Sequence, residues 1–68
     1  MKVRKVKDMT FRYGEITICY ATNGHRLYQG PVSNIPEHLL EYYCGYRINN
    51  KYRKSHYIEV TEDEKFFI

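Results

Sequence analysis

An Asn23-Gly24 dipeptide lies between two segments patterned for β-structure, and no other local feature limits the fold of this chain so strongly. Asn and Gly both tolerate positive φ, which the central residues of a type I′ turn require. Before it, Glu15-Ile16-Thr17-Ile18-Cys19-Tyr20 alternates in polarity and is rich in β-branched residues. After it, Arg26-Leu27-Tyr28-Gln29 returns and Gly30-Pro31 stops the run. A two-residue loop would pair Thr22 with His25, hence Tyr20 with Leu27 and Cys19 with Tyr28. That register predicts an apolar face of Ile16, Ile18, Tyr20 and Leu27, opposite a face of Thr17, Cys19, Arg26 and Tyr28.

The next segment reads as a short helix. Ser33 or Asn34 can cap the free amides of a first turn, Pro36 suits the first helical position, and Glu37 complements the positive helix end. Ile35, Leu39, Leu40 and Tyr43 recur at spacings of three and four, and Gly45 is a natural stop. A second hairpin follows: Tyr46-Arg47-Ile48 forms one arm and His56-Tyr57-Ile58-Glu59-Val60-Thr61 the other. Its turn falls at Asn49-Asn50 or extends to Lys54-Ser55. Upstream, Met9-Thr10-Phe11-Arg12-Tyr13 alternates as a further strand candidate, and Val3 and Val6 are spaced for a turn of helix. The expected class is α+β: a small antiparallel sheet of roughly three to five strands in ββαββ-like order, with one short helix packed on one face.

Size then limits stability. Residues 1–68 make a single domain, and a chain this short buries only about 60% of its unfolded surface, so it ordinarily needs a staple. Cys19 and Cys44 are far apart and lack a CxxC spacing, which fits reduced thiols better than a disulfide framework; one bridge between them stays open. The basic N-terminal residues are not followed by the apolar stretch of a signal peptide, and no apolar run approaches the ~20 residues that span a bilayer. These features point to a cytoplasmic protein without a membrane partner. The remaining staple is self-association. The apolar end Phe66-Phe67-Ile68 either folds back or docks on another copy, and docking as a homo-oligomer contact is the reading adopted.

The order Ile16-Thr17-Ile18-Cys19-Tyr20, Asn23-Gly24, Leu27-Tyr28-Gln29-Gly30, Val32-Ser33-Asn34-Ile35-Pro36-Glu37-His38-Leu39-Leu40 and Ile58-Glu59-Val60 resembles a group of short proteins common in phages and mobile elements of Gram-positive bacteria. Genes of this class include anti-CRISPR proteins and other inhibitors of host defence. The resemblance therefore implies an accessory role in a bacterial host. The chain departs from the group's pattern at Tyr42-Tyr43-Cys44-Gly45-Tyr46-Arg47 and Lys51-Tyr52-Arg53-Lys54, which makes that region the place to seek a site.

The charge pattern points there too. The net charge of +3 is modest, but residues 42–58 hold no acid while Arg47, Lys51, Arg53, Lys54 and His56 alternate with Tyr46, Tyr52 and Tyr57. Cations neutralise phosphates with release of counterions, and aromatic faces stack unpaired bases. The plainer reading is that the tyrosines pack the sheet while the cations form its solvated edge. The candidate binding face is Tyr46, Arg47, Lys51, Tyr52, Arg53, Lys54 and His56. No metal or other cofactor is expected, because His25, His38, His56, Cys19 and Cys44 match no ligand spacing. No catalytic residues are assigned: Glu59, Glu62, Asp63 and Glu64 could bind Mg²⁺, but the last three are consecutive and do not converge. The expected function is non-enzymatic. It is an anti-CRISPR-like inhibitor or modulator that binds a protein or nucleoprotein target. The alternative is direct binding of DNA or RNA, with a metal-dependent nicking nuclease as a distant third.

Overall fold

β-Branched residues occupy the positions where the sheet is most deeply buried. The computed structural model describes residues 3–67. Its strands are β1 (Arg4–Lys5), β2 (Glu15–Tyr20), β3 (Arg26–Pro31), β4 (Tyr43–Asn50) and β5 (Ser55–Thr61). They form one five-stranded sheet in the order β1-β4-β5-β2-β3. Central β2 and β5 run parallel, with Ile16 beside His56, Ile18 beside Ile58 and Tyr20 beside Val60. All other neighbours are antiparallel. Ile16, Ile18, Ile58 and Val60 are fully buried on one face, and burying such side chains stabilises a fold by about 1.5–3 kcal/mol each.

The layer over that face is not a helix, which overturns the α+β expectation of a ββαββ order with one packed helix. Among the described residues the non-strand elements are 3-10 turns at Val6–Asp8, Val32–Asn34, Glu37–Glu41 and Glu64–Phe67. The physical cause is a shortage of chain: Pro36, expected at the first helical position, is itself extended at ψ 136°. A residue before proline is driven out of the helical region, and Ile35 is extended at φ −56°, ψ 127°. Only Glu37–Glu41 remain before the chain enters β4, too few to offset the cost of a helical nucleus. The turn closes instead with bonds from Leu39 N to Pro36 O (3.0 Å) and Tyr42 N to Leu39 O (3.1 Å). Val6 and Leu39 are buried in this layer, with Met9, Phe11, Val32, Ile35, Leu40 and Tyr42 packed around them. Residues 9–13 cross the core as irregular chain, not as the expected strand.

The first hairpin exists, but its register differs from expectation. Tyr20 and His25 bracket a longer loop: Tyr20 N donates to His25 O and Gly24 N donates to Tyr20 O, both at 2.7 Å. Gly24 ends the loop in the left-handed region at φ 77°. The register then passes from Ile18 opposite Tyr28 to Cys19 opposite Arg26, so Leu27 is an extra, bulged residue. Tyr28, not Leu27, packs on the core; Leu27 is exposed.

The second hairpin is longer than expected at both ends. Gly45, expected to end a helix, is the extra residue of a bulge in β4. The Phe67 ring occupies the space a Cβ at that position would need. The C-terminal segment therefore folds back through Phe67, while Phe66 is exposed and Ile68 lies outside the described residues. Cys19 and Cys44 are free and buried. Two strands apart across β5, with Cys44 in the core cluster and Cys19 paired on the opposite face, they cannot be bridged without moving the backbone.

Candidate nucleic-acid interface

The acid-free stretch folds into the distal half of β4, a tight loop and the start of β5. Asn50 and Ser55 pair, leaving residues 51–54 as the tip. Asn50 Oδ1 accepts from Tyr52 N (3.0 Å) and Arg53 N (3.1 Å), so a side chain shapes the turn. Lys54 closes it with a left-handed φ of 53°. Lys51, Tyr52, Arg53 and Lys54 are all exposed, Tyr52 at 88%. The Lys51 ammonium sits 5.6 Å from the centre of the Tyr52 ring. Among the described residues the ion pairs are Lys5–Glu41 (3.3 Å) and Lys7–Glu41 (3.1 Å), so none engages the tip. Both pairs share the one Glu41 carboxylate. Their hydrogen bonds push Glu41 below the usual carboxylate range and Lys5 above its usual value.

Arg47 lies beside the tip and is pinned. Its Nη2 donates to Thr10 O (2.7 Å), its Nε donates to Asn49 Oδ1 (2.9 Å), and its guanidinium lies 5.2 Å from the Phe11 ring centre. Thr10, Phe11, Arg12, Arg47 and Asn49 line an open depression of about 650 Å³. Arg12 is a functional candidate that the sequence reading missed. Nothing in the Met9–Tyr13 pattern signals that this segment crosses to β4. A smaller depression on the other side of the tip, about 250 Å³, is lined by Arg53, Ser55, Glu15, Ile16, Thr17 and Gln29.

The predicted binding face is thus divided. Tyr46 is on the opposite face of the sheet, edge-on to Tyr57 with ring centroids 6.3 Å apart. Tyr57 in turn donates to Glu59 Oε2 (2.8 Å), which pushes its phenol well above the usual value. His56 is not at the surface: it is 1% exposed. Its Nε2 accepts from Tyr13 N (2.9 Å), its Nδ1 donates to Asn49 Oδ1 (2.8 Å), and the Phe11 and Tyr13 rings pack on it at 5.1 Å. Burial, then the charge of Arg47, holds its pKa below the ordinary value. This imidazole is a neutral structural member of the core that ties residues 11–13 to the sheet.

A run of acids lies at the other end. Glu62, Asp63 and Glu64 follow β5, whose seven residues (Ser55–Thr61) separate them from the tip by roughly 20 Å. Tyr20 Oη donates to Glu62, which raises the tyrosine's pKa. The acidic run and the basic tip thus lie beyond opposite ends of β5. Among the described residues no three of His, Cys, Asp and Glu converge to hold a metal ion, and no helix is long and apolar enough to cross a membrane. Compared with protein-family models, with curated proteins and with solved structures, the chain finds no match in any of the three.

Proposed function

We propose that this chain is a non-enzymatic binding module that grips nucleic acid, bare or within a nucleoprotein, by its 51–54 tip. One observation carries the reading: a fixed loop holds three cations and a nearly naked tyrosine in solvent, with no ion pair to any of them among the described residues. Lys51, Arg53 and Lys54 would displace counterions from phosphates, and Tyr52 would stack on an unpaired base. Arg12 and Arg47 extend the cationic surface from the tip toward the sheet. The left-handed Lys54 supports the reading, because strain at a lysine gains the fold nothing that a glycine would not supply more easily. The resemblance to small phage proteins extends the proposal to an inhibitor of a nucleoprotein machine acting in a bacterial cytoplasm.

The test is titration of labelled single-stranded DNA, single-stranded RNA and duplex DNA, each at about 50 and 200 mM salt. Binding that weakens steeply with salt, and favours single strands through Tyr52, is the expected result. Absence of binding at the lower salt removes the nucleic-acid reading. It leaves an acidic protein surface as the partner of the same tip.

A further inference from the structure

The tip is convex and could meet many polyanions, but the depression beside it is concave and more selective. Every polar side-chain group lining it can donate a hydrogen bond: the Thr10 hydroxyl, the two guanidinium groups and the Asn49 amide. Arg47 uses two of its five N–H groups, on Thr10 O and Asn49 Oδ1, and is fixed in place by them. Asn49 Oδ1 accepts from both Arg47 Nε and His56 Nδ1, which fixes the amide. Its Nδ2 has no protein acceptor among the described residues and is left for a ligand. Arg12 is exposed and takes part in no ion pair among the described residues. No carboxylate lines the depression, and Phe11 contributes an apolar wall.

From this lining we infer a phosphate-binding pocket, in which Arg12, Arg47 and Asn49 hold the oxygens of one phosphate group. A lining rich in free donors and without a carboxylate favours a ligand that only accepts. A tetrahedral oxyanion offers enough lone pairs for two guanidinium forks and an amide at once. The His56–Asn49 bond, made by a buried imidazole to an exposed amide, orients Asn49 before the ligand arrives. The volume leaves space for what the phosphate is attached to, with Phe11 beside it. The source of the phosphate follows from the function proposed above: a phosphate of the same nucleic acid whose neighbouring phosphates meet the tip. Free inorganic phosphate shares the chemistry, so the test separates the two.

The full-length chain is titrated with inorganic phosphate while the side-chain N–H signals of Arg12, Arg47 and Asn49 are followed by NMR. Acetate at equal ionic strength is the carboxylate arm. A short oligonucleotide is added with and without a 5′-phosphate. Saturable shifts of these signals by phosphate, and not by acetate, are expected. Arg12→Gln, which removes a side chain that supports no other residue, should weaken phosphate binding about tenfold or more. Arg47→Lys should weaken it similarly while leaving the Tyr13 and His56 signals in place. A triple Lys51→Ser, Arg53→Ser, Lys54→Ser variant should bind inorganic phosphate like the parent. Shifts that match the acetate control, or an Arg12→Gln variant that binds phosphate as well as the parent, overturn the pocket. Nucleic-acid binding that depends on the tip but survives Arg12→Gln unchanged also overturns it, while sparing the proposed function. Phosphate binding by a chain that ignores every oligonucleotide upholds the pocket and sinks the nucleic-acid reading instead.

Discussion

The two hairpin tips turn in similar ways and differ in the side chains they carry. Ala21-Thr22-Asn23-Gly24 and Lys51-Tyr52-Arg53-Lys54 each bridge paired strands, and each ends on a left-handed residue, Gly24 at φ 77° and Lys54 at φ 53°. Each also uses an asparagine to accept a backbone N–H: Asn23 from His25, Asn50 from Tyr52 and Arg53. The first tip places glycine where the backbone demands positive φ. The second places a lysine there and surrounds it with more charge. A turn chosen only for folding would resemble the first. The difference marks the second tip as the one whose side chains have another task.

Removing that charge should have the largest effect. Replacing Lys51, Arg53 and Lys54 with Ser should lower nucleic-acid affinity on the order of a hundredfold at low salt and flatten its salt dependence, since each phosphate contact contributes close to one unit of slope. Melting should barely change, because exposed charges add little to stability. The matching change at the first tip, His25 and Arg26 to Ser, should leave affinity near that of the parent. Equal losses from both tips would erase the distinction between them.

Backbone strain gives the next contrast. Gly24→Val forces a β-branched residue into the left-handed region and should cost about 2 kcal/mol in denaturant unfolding. Lys54→Gly should act in the other direction, raising stability by about 1 kcal/mol while weakening binding through one lost cation. If both glycine positions respond alike, Lys54 is not strained and the comparison loses its backbone argument.

The smallest effect concerns the base of the second tip. His56 has a depressed pKa in the folded chain, held down by burial and by Arg47. As pH falls, the unfolded chain takes up this proton first. The stability gained by keeping His56 neutral is therefore complete above its unfolded value near 6.5 and lost as pH falls through the lower folded value. Urea midpoints measured from neutral pH downward should decline through that window. His56→Gln should abolish this slope while lowering stability throughout, because Tyr13 N and Asn49 then lose a partner. A parent midpoint that stays level across the window contradicts this assignment.

What could be read without the structure was local. Alternation placed β2, the return arm of the first hairpin and β5, and the missing acids of residues 42–58 located the basic tip. Glycine's tolerance of positive φ singled out Gly24 as a turn residue, although the loop is longer than two residues. These signals depend on a residue and its near neighbours, so the chain carries them whatever it later pairs with. The rest is non-local. The parallel pairing of β2 with β5 joins residues forty positions apart, as Glu15 beside Ser55 shows, and no periodicity encodes a partner at that distance. The apolar stripe over Ile35–Tyr43 matched helical spacing, yet Pro36 upstream and the pull of β4 downstream left too little chain for a helix. His56 reads as one more cation in a basic run; only the crossing of Phe11 and Tyr13 over β5 makes it a buried, neutral hydrogen-bonding centre. That same crossing sets Arg12 beside Arg47. The pocket exists because tertiary packing, not sequence proximity, brings two arginines thirty-five residues apart to one wall.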